Sequence, residues 1–197
     1  QEVSMQAHLC MLATHTGRPV KLVYDRNESF LGHVHRHPAK IWFRHSANES
    51  GLLVKVEAKV ILDGGAYAST TSAVLANACC FSVGPYRVPN ALIEGWGVRT
   101  NNPPCGAMRG FGNVQTCFAA EAQMDKLANA LSMDPVELRL LNALKTGDTL
   151  ITGQKINCTA PVKEVLTSLS EHPIPQGVKG DLLELPGGTG RTTDNSH

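Results

Sequence analysis

Between Leu53 and Leu62 the chain alternates with a period of two. Val54, Val56, Ala58, Val60 and Leu62 are apolar, while Lys55, Glu57 and Lys59 between them are charged. A β-strand sends successive side chains to opposite faces, so this run predicts a strand with one buried and one wet face. Such a strand needs a neighbour and a covering layer. Ile41-Trp42-Phe43 reads as the neighbour, and Asn48-Glu49-Ser50-Gly51 is turn chemistry, so Ile41–Ala47 and Leu53–Leu62 are expected to form a hairpin. Val20, Leu22 and Tyr24 alternate after Pro19 and read as another short strand, and a further strand is expected near residues 91–100.

The covering layer is written in helical periods. A helix is expected near residues 73–81. Val114–Leu131 carries Cys117, Ala120, Met124, Leu127 and Leu131 on one stripe. Asp134 then reads as an N-cap, with Pro135 at the first helical position and Glu137 completing a capping box; Gly147 reads as the end of that helix. Val3, Ala7, Cys10 and Met11 recur on an opening helix, and Thr159-Ala160-Pro161 starts a last one running to about Leu169. The reading is an α/β (mixed α+β) unit over residues 1–171: a small mixed sheet with a β-hairpin and packed helices. From residue 172 proline and glycine dominate, so 172–197 reads as a linker or tail. Gly187-Gly188-Thr189-Gly190-Arg191 lacks the lysine of a phosphate loop and is counted with that tail.

Charge removes several function classes. With 18 Lys+Arg against 17 Asp+Glu, the chain has no electrostatic case for nucleic acid or an acidic membrane. No run is long and apolar enough to span a bilayer, and no signal peptide is present. The six cysteines show no C-x-x-C spacing and read as small reduced core residues of a cytoplasmic protein. His33, His35 and His37 would share one face of a strand, but Gly32 and Pro38 bracket them and no further ligand follows at metal spacing. A loop with His37 packed locally is the expectation, and no metal ligand is assigned. Neither a Ser–His–Asp order nor paired carboxylates emerge for hydrolysis.

The run Gly106-Ala107-Met108-Arg109-Gly110-Phe111-Gly112 is where chemistry concentrates. Glycine permits positive φ and close backbone approach. The amides that open the next helix lack intrahelical partners and suit a polar or anionic group. Arg109 adds a planar fork of donors and Phe111 a flat apolar wall. The run suits a cradle for an anionic cofactor beside a planar substrate; it equally suits a tight packed loop with a surface arginine.

This run resembles the A-[FM]-R-G-F-G loop of the molybdenum hydroxylases, the xanthine dehydrogenase and aldehyde oxidase family. Gly17-Arg18-Pro19-Val20, Asp25-Arg26-Asn27-Glu28, Arg36-His37-Pro38, Pro85-Tyr86-Arg87-Val88-Pro89-Asn90, Thr100-Asn101-Asn102-Pro103-Pro104, Asp134-Pro135-Val136-Glu137-Leu138-Arg139 and Asn142 follow the family's order over about residues 1–170. The resemblance implies part of a molybdopterin-binding large subunit that takes a molybdenum–molybdopterin cofactor. The implied reaction hydroxylates an electron-poor carbon of a purine, another N-heterocycle or an aldehyde, with oxygen from water and a glutamate base. Electrons would leave through iron–sulfur clusters and FAD on other domains or subunits. Ala107, Met108 and Arg109 would border the cofactor, and Phe111 the substrate.

The family's F-G-G-K-E turn would fall just before Gln1, and its general-base glutamate far downstream, so this chain carries neither and reads as a segment of a longer enzyme. No catalytic residue is therefore assigned within it. A non-catalytic scaffold or interaction module of the same fold is the rival reading. Tyr67 and Asn77 precede the loop, and either suits the substrate side. Purine-oxidising relatives often carry arginine where this chain has Asn77, which argues against xanthine itself. A carbon monoxide dehydrogenase loop would read A-Y-R-G-A-G, and Phe111 departs from it.

Overall fold

The computed structural model describes residues 3–172. Its centre is the expected hairpin. Strand β1 (Ala39–Ala47) pairs antiparallel with β2 (Leu53–Asp63), and β3 (Asn90–Val98) adds in parallel on the other side of β2, giving the order β1-β2-β3. A parallel neighbour needs a crossover, and helix α3 (Thr71–Cys80) supplies it.

The alternation holds along most of β2: Val56, Ala58, Val60 and Leu62 are buried. It breaks at the start. The register passes from Ser46↔Lys55 to Ala47↔Leu53, skipping Val54. This bulge turns Leu53 inward, at 4% exposure, and leaves Val54 at 43%.

Helices α3 and α4 (Asn113–Ala130) cover the inner face of the sheet. Gly95 on β3 lets α3 come close, because a Cβ there would meet the Cys79 sulfur at 2.6 Å and Leu75 Cδ1 at 2.9 Å. The buried stripe of α4 is Thr116, Ala120, Met124 and Ala128. Ala120 and Met124 lie on it as expected, but Cys117 is exposed and Thr116 takes the inward place; of the six cysteines expected in the core only Cys105 is buried. Small residues face the sheet there, and Leu127 and Leu131 pack at its margin.

Helix α5 (Pro135–Asn142) packs on α4, and α6 (Val162–Ser170) on α5. The Asp134 carboxylate caps α5 through the Val136 and Glu137 amides; the return bond from Glu137 that would complete a capping box is not made among the described residues. The helix stops at Asn142, before Gly147, because Ala143 turns extended to bridge Tyr86 and the Leu144 amide donates to Pro85 O. Asn142 is 1% exposed; its Nδ2 donates to Gly51 O and Leu138 O, and its Oδ1 accepts from Leu53 N. It fastens the hairpin turn to α5.

Helix α1 (Ser4–Thr16) lies outside this core and buries no residue, so its apolar stripe faces outward. The strand expected at 20–24 is not formed; that stretch finds no strand partner and leads into α2 (Arg26–Gly32). A reciprocal capping box opens α2, with Asp25 accepting from Glu28 N and Glu28 accepting from Asp25 N. The expected tail, including the glycine run at 187–191, lies outside the described residues apart from its first residue, His172.

Candidate cofactor site

Strand β2 ends in Asp63-Gly64-Gly65, and this corner organises the approach to the glycine loop. The Asp63 carboxylate accepts from Gly65 N at 2.9 Å, Thr100 Oγ1 at 2.6 Å and Asn102 Nδ2. These hydrogen bonds, the Thr100 hydroxyl foremost, hold its pKa below the usual carboxylate range. Gly65 has φ +72°, and a Cβ there would lie 2.2 Å from Pro103 O. Segment 100–105 is thereby laid against the end of the sheet, with the Cys105 amide on Gly64 O and the Gly106 amide on His35 O.

The loop leaves from there. Gly110 has φ +89° and Gly112 φ +95°; a Cβ on Gly112 would meet Val74 O at 2.4 Å. Between them Phe111 also sits at positive φ, +45°. Positive φ strains a non-glycine residue and persists only where the surroundings enforce it. Two features enforce it here. The Phe111 ring packs on Val60, Leu62, Val74 and Ala78, and its carbonyl accepts from Asn77 Nδ2 at 2.8 Å.

Among the described residues the amides of Ala107, Met108, Arg109 and Gly110 donate to no acceptor. Arg109 is exposed. Ala107, Met108 and Arg109 line one open cleft of about 460 Å³ together with Met5 and Gln6 of α1, His33 and Val34. The three residues assigned to the cofactor are thus brought together. Asn77 and Phe111 are paired with each other but do not line that cleft. Tyr67 is 70% exposed and lines a separate hollow of about 330 Å³ with Thr71, Leu75 and Arg99.

The three histidines diverge. His33 Nδ1 meets Ser29 Oγ at 3.0 Å, His35 Nε2 meets Phe30 O at 2.6 Å, and buried His37 places Nε2 2.9 Å from Thr71 Oγ1. Burial lowers the His37 pKa against the opposing pull of Asp63.

Arg36 and Gln115 lie outside the residues that the sequence assigns to the site; Arg36 braces the loop, and Gln115 ties the start of α4 to the segment that carries Arg36. Arg36 Nη2 donates to Arg109 O at 2.7 Å, and Gln115 Nε2 to His37 O at 3.0 Å. Arg36-His37-Pro38 is visible as a motif; its contact lies 73 residues away, which no local pattern shows.

A run of free amides, an exposed guanidinium and a cleft of this size can hold an anionic, oxygen-rich group. The Molybdopterin cofactor-binding domain family matches residues 1–143. The chain is 40% identical over 173 residues to the nicotinate dehydrogenase large molybdopterin subunit of Eubacterium barkeri, covering 88% of this chain and 41% of that protein. It is 39% identical over 189 residues to a probable xanthine dehydrogenase subunit of Bacillus subtilis, covering 96% and 25% respectively. The aldehyde oxidoreductase of Desulfovibrio gigas superposes with a TM-score of 0.78 at 33% identity, over 83% of this chain and 18% of that one. The chain therefore spans less than half the length of the relatives it matches. By the match over residues 1–143, the chain belongs to the molybdopterin cofactor-binding domain family.

Proposed function

We propose that this chain forms one wall of the active site of a molybdenum hydroxylase, in which Ala107, Met108 and Arg109 hold the cofactor. The observation that carries the reading is the row of unpartnered amides from Ala107 to Gly110, on a loop whose residues Ala107, Met108 and Arg109 line one cleft. The molybdenum–molybdopterin group, when bound, supplies the redox chemistry and oxygen transfer from water; the protein positions and polarises. The backbone amides and the Arg109 fork bind anionic oxygens of the group. Met5 and Gln6 of α1 line the same cleft.

The substrate side is Phe111 with Asn77. Asn77 holds the Phe111 carbonyl and core packing seats the Phe111 side chain, so a flat substrate would meet a wall already in place. The Asn77 Nδ2 is committed to Phe111 O, and the side chain carries no charge. An oxopurine that becomes anionic in the transition state gains little there. The preferred substrates are therefore neutral N-heterocycles and aldehydes. The general base comes from outside this chain, and the electrons pass to iron–sulfur and flavin groups of the remaining domains or subunits. All six cysteines are free, which supports a cytoplasmic location. No helix of the described residues is long and apolar enough to cross a membrane.

The test is to purify the intact protein that contains this chain and measure molybdenum, pterin and turnover on nicotinate, an aldehyde and xanthine in ¹⁸O-labelled water. About one molybdenum per subunit and label in the product support the proposal. An intact protein without metal or pterin, and without turnover, would leave the scaffold reading in its place.

A further inference from the structure

Four consecutive carbonyls of the glycine loop are each held by a donor. Met108 O accepts from Phe111 N at 2.7 Å and Gly110 O from Asn113 N at 2.8 Å. Those are local turn bonds. The other two donors come from distant segments: Asn77 Nδ2 holds Phe111 O at 2.8 Å, and Arg36 Nη2 holds Arg109 O at 2.7 Å. The Arg109–Gly110 peptide is trans. A trans peptide is planar, with its C=O and N–H pointing in opposite directions. Turning the Arg109 carbonyl toward Arg36 therefore turns the Gly110 N–H away from Arg36. That N–H is one of the amides with no acceptor among the described residues.

Arg36 itself does not line the Ala107–Arg109 cleft. Its second terminal nitrogen, Nη1, is buried and has no partner among the described residues. Its charge therefore stands behind the loop without a carboxylate answering it there. A cation bonded to a peptide carbonyl also polarises that peptide and strengthens its N–H as a donor. Asn77 can align Phe111 in the same way but brings no charge.

We propose that Arg36 is a positioning residue for cofactor binding. It clamps the Arg109–Gly110 peptide, which fixes Arg109 in the cleft wall and keeps the unpartnered Gly110 amide turned away from Arg36, and it adds positive potential behind the loop. The ligand class is an anionic, oxygen-rich group, which on the reading proposed above is molybdopterin; the inference rests on that reading.

The experiment compares the intact protein with its Arg36→Met and Arg36→Lys variants. The readouts are molybdenum and pterin per folded subunit, the melting temperature, and kcat and KM normalised to bound molybdenum. Arg36→Met is expected to hold less than about one-tenth of the wild-type molybdenum, with an unaltered KM in the fraction that remains loaded. Arg36→Lys keeps a charge but not the fork, and is expected to recover part of the loss while staying at least about threefold below wild type. A merely structural staple would lower the melting temperature and leave molybdenum per folded subunit unchanged; that result overturns the proposal. If Arg36→Met does not accumulate folded, Arg36→Lys decides alone, and wild-type molybdenum in it overturns the proposal. A wild-type protein that holds no molybdenum overturns the functional reading itself, and this inference with it.

Discussion

Acid should weaken this fold through His45 before the carboxylates are reached. His45 is 8% exposed on β1, both of its ring nitrogens are buried without partners among the described residues, and its ring stacks on Phe43 at 5.7 Å. Burial alone lowers its pKa from 6.5 to about 4. The unfolded chain then binds a proton that the folded chain refuses. The stability contributed by neutral His45 is complete above the unfolded value of 6.5 and is lost as pH falls toward about 4. Between pH 7 and pH 5 this one residue costs about 2 kcal/mol, from the ratio of the two binding polynomials. His45→Phe keeps an aromatic ring beside Phe43 and removes the titration. The difference in slope between the two proteins is insensitive to any packing change, which shifts both pH values equally.

The assay is urea unfolding of the purified 197-residue chain and of His45→Phe at pH 7 and pH 5, followed by the fluorescence of Trp42 and Trp96. The wild type should lose about 2 kcal/mol more than the variant over that interval. His37, whose pKa is also lowered by burial, contributes to the slope left in both. Asp63 and Glu57 have lowered pKa values, so their contributions are lost only as pH falls below the ordinary carboxylate range, outside the window. Equal slopes for the two proteins would refute the reasoning.

Three further outcomes are expected. In the intact protein Arg109→Ala should weaken cofactor retention or turnover by about 1.5–3 kcal/mol, the range of a hydrogen bond to a charged group, and Arg109→Lys should rescue little; elemental analysis and kcat/KM check it. Asn142→Ala removes three buried side-chain hydrogen bonds to the backbone and should cost about 2–4 kcal/mol in urea unfolding, with a change below about 1 kcal/mol contradicting its bridging role. Asn77→Arg should raise kcat/KM for oxopurines selectively over aldehydes; a native preference for xanthine that this substitution leaves unaltered would show that Asn77 does not act on the substrate side.

The hairpin is legible in the sequence because Val56, Ala58, Val60 and Leu62 keep strict phase with the pleat, and burial on one face requires that phase. The bulge that inverts Leu53 and Val54 is not, because it depends on how Ala47 meets the turn. Helix α2 is hidden although its Asp25-x-x-Glu28 box is present; the alternation of Val20, Leu22 and Tyr24 suggests a strand just before it, but no partner strand pairs there. Gly147 has the signature of a helix end, yet the chain leaves α5 at Asn142 to pair with Pro85 and Tyr86, a contact distant in sequence.

The site divides in the same way. Glycine spacing and charge single out the 106–112 loop, the family resemblance picks Ala107, Met108 and Arg109 within it, and one cleft gathers these three. Phe111 at positive φ, the Asn77 bond to its carbonyl and the Arg36 clamp are not, because each is a tertiary contact spanning more than 30 residues.

The central claim is that the Ala107–Gly110 backbone is the surface on which the cofactor rests. The most direct measurement is a structure of the intact protein purified with its cofactor. The account predicts that at least one cofactor oxygen accepts from an amide between Ala107 and Gly110, at about 2.7–3.2 Å, with the Arg109 carbonyl still turned to Arg36. A bound cofactor held elsewhere, with those amides facing only water, would contradict it.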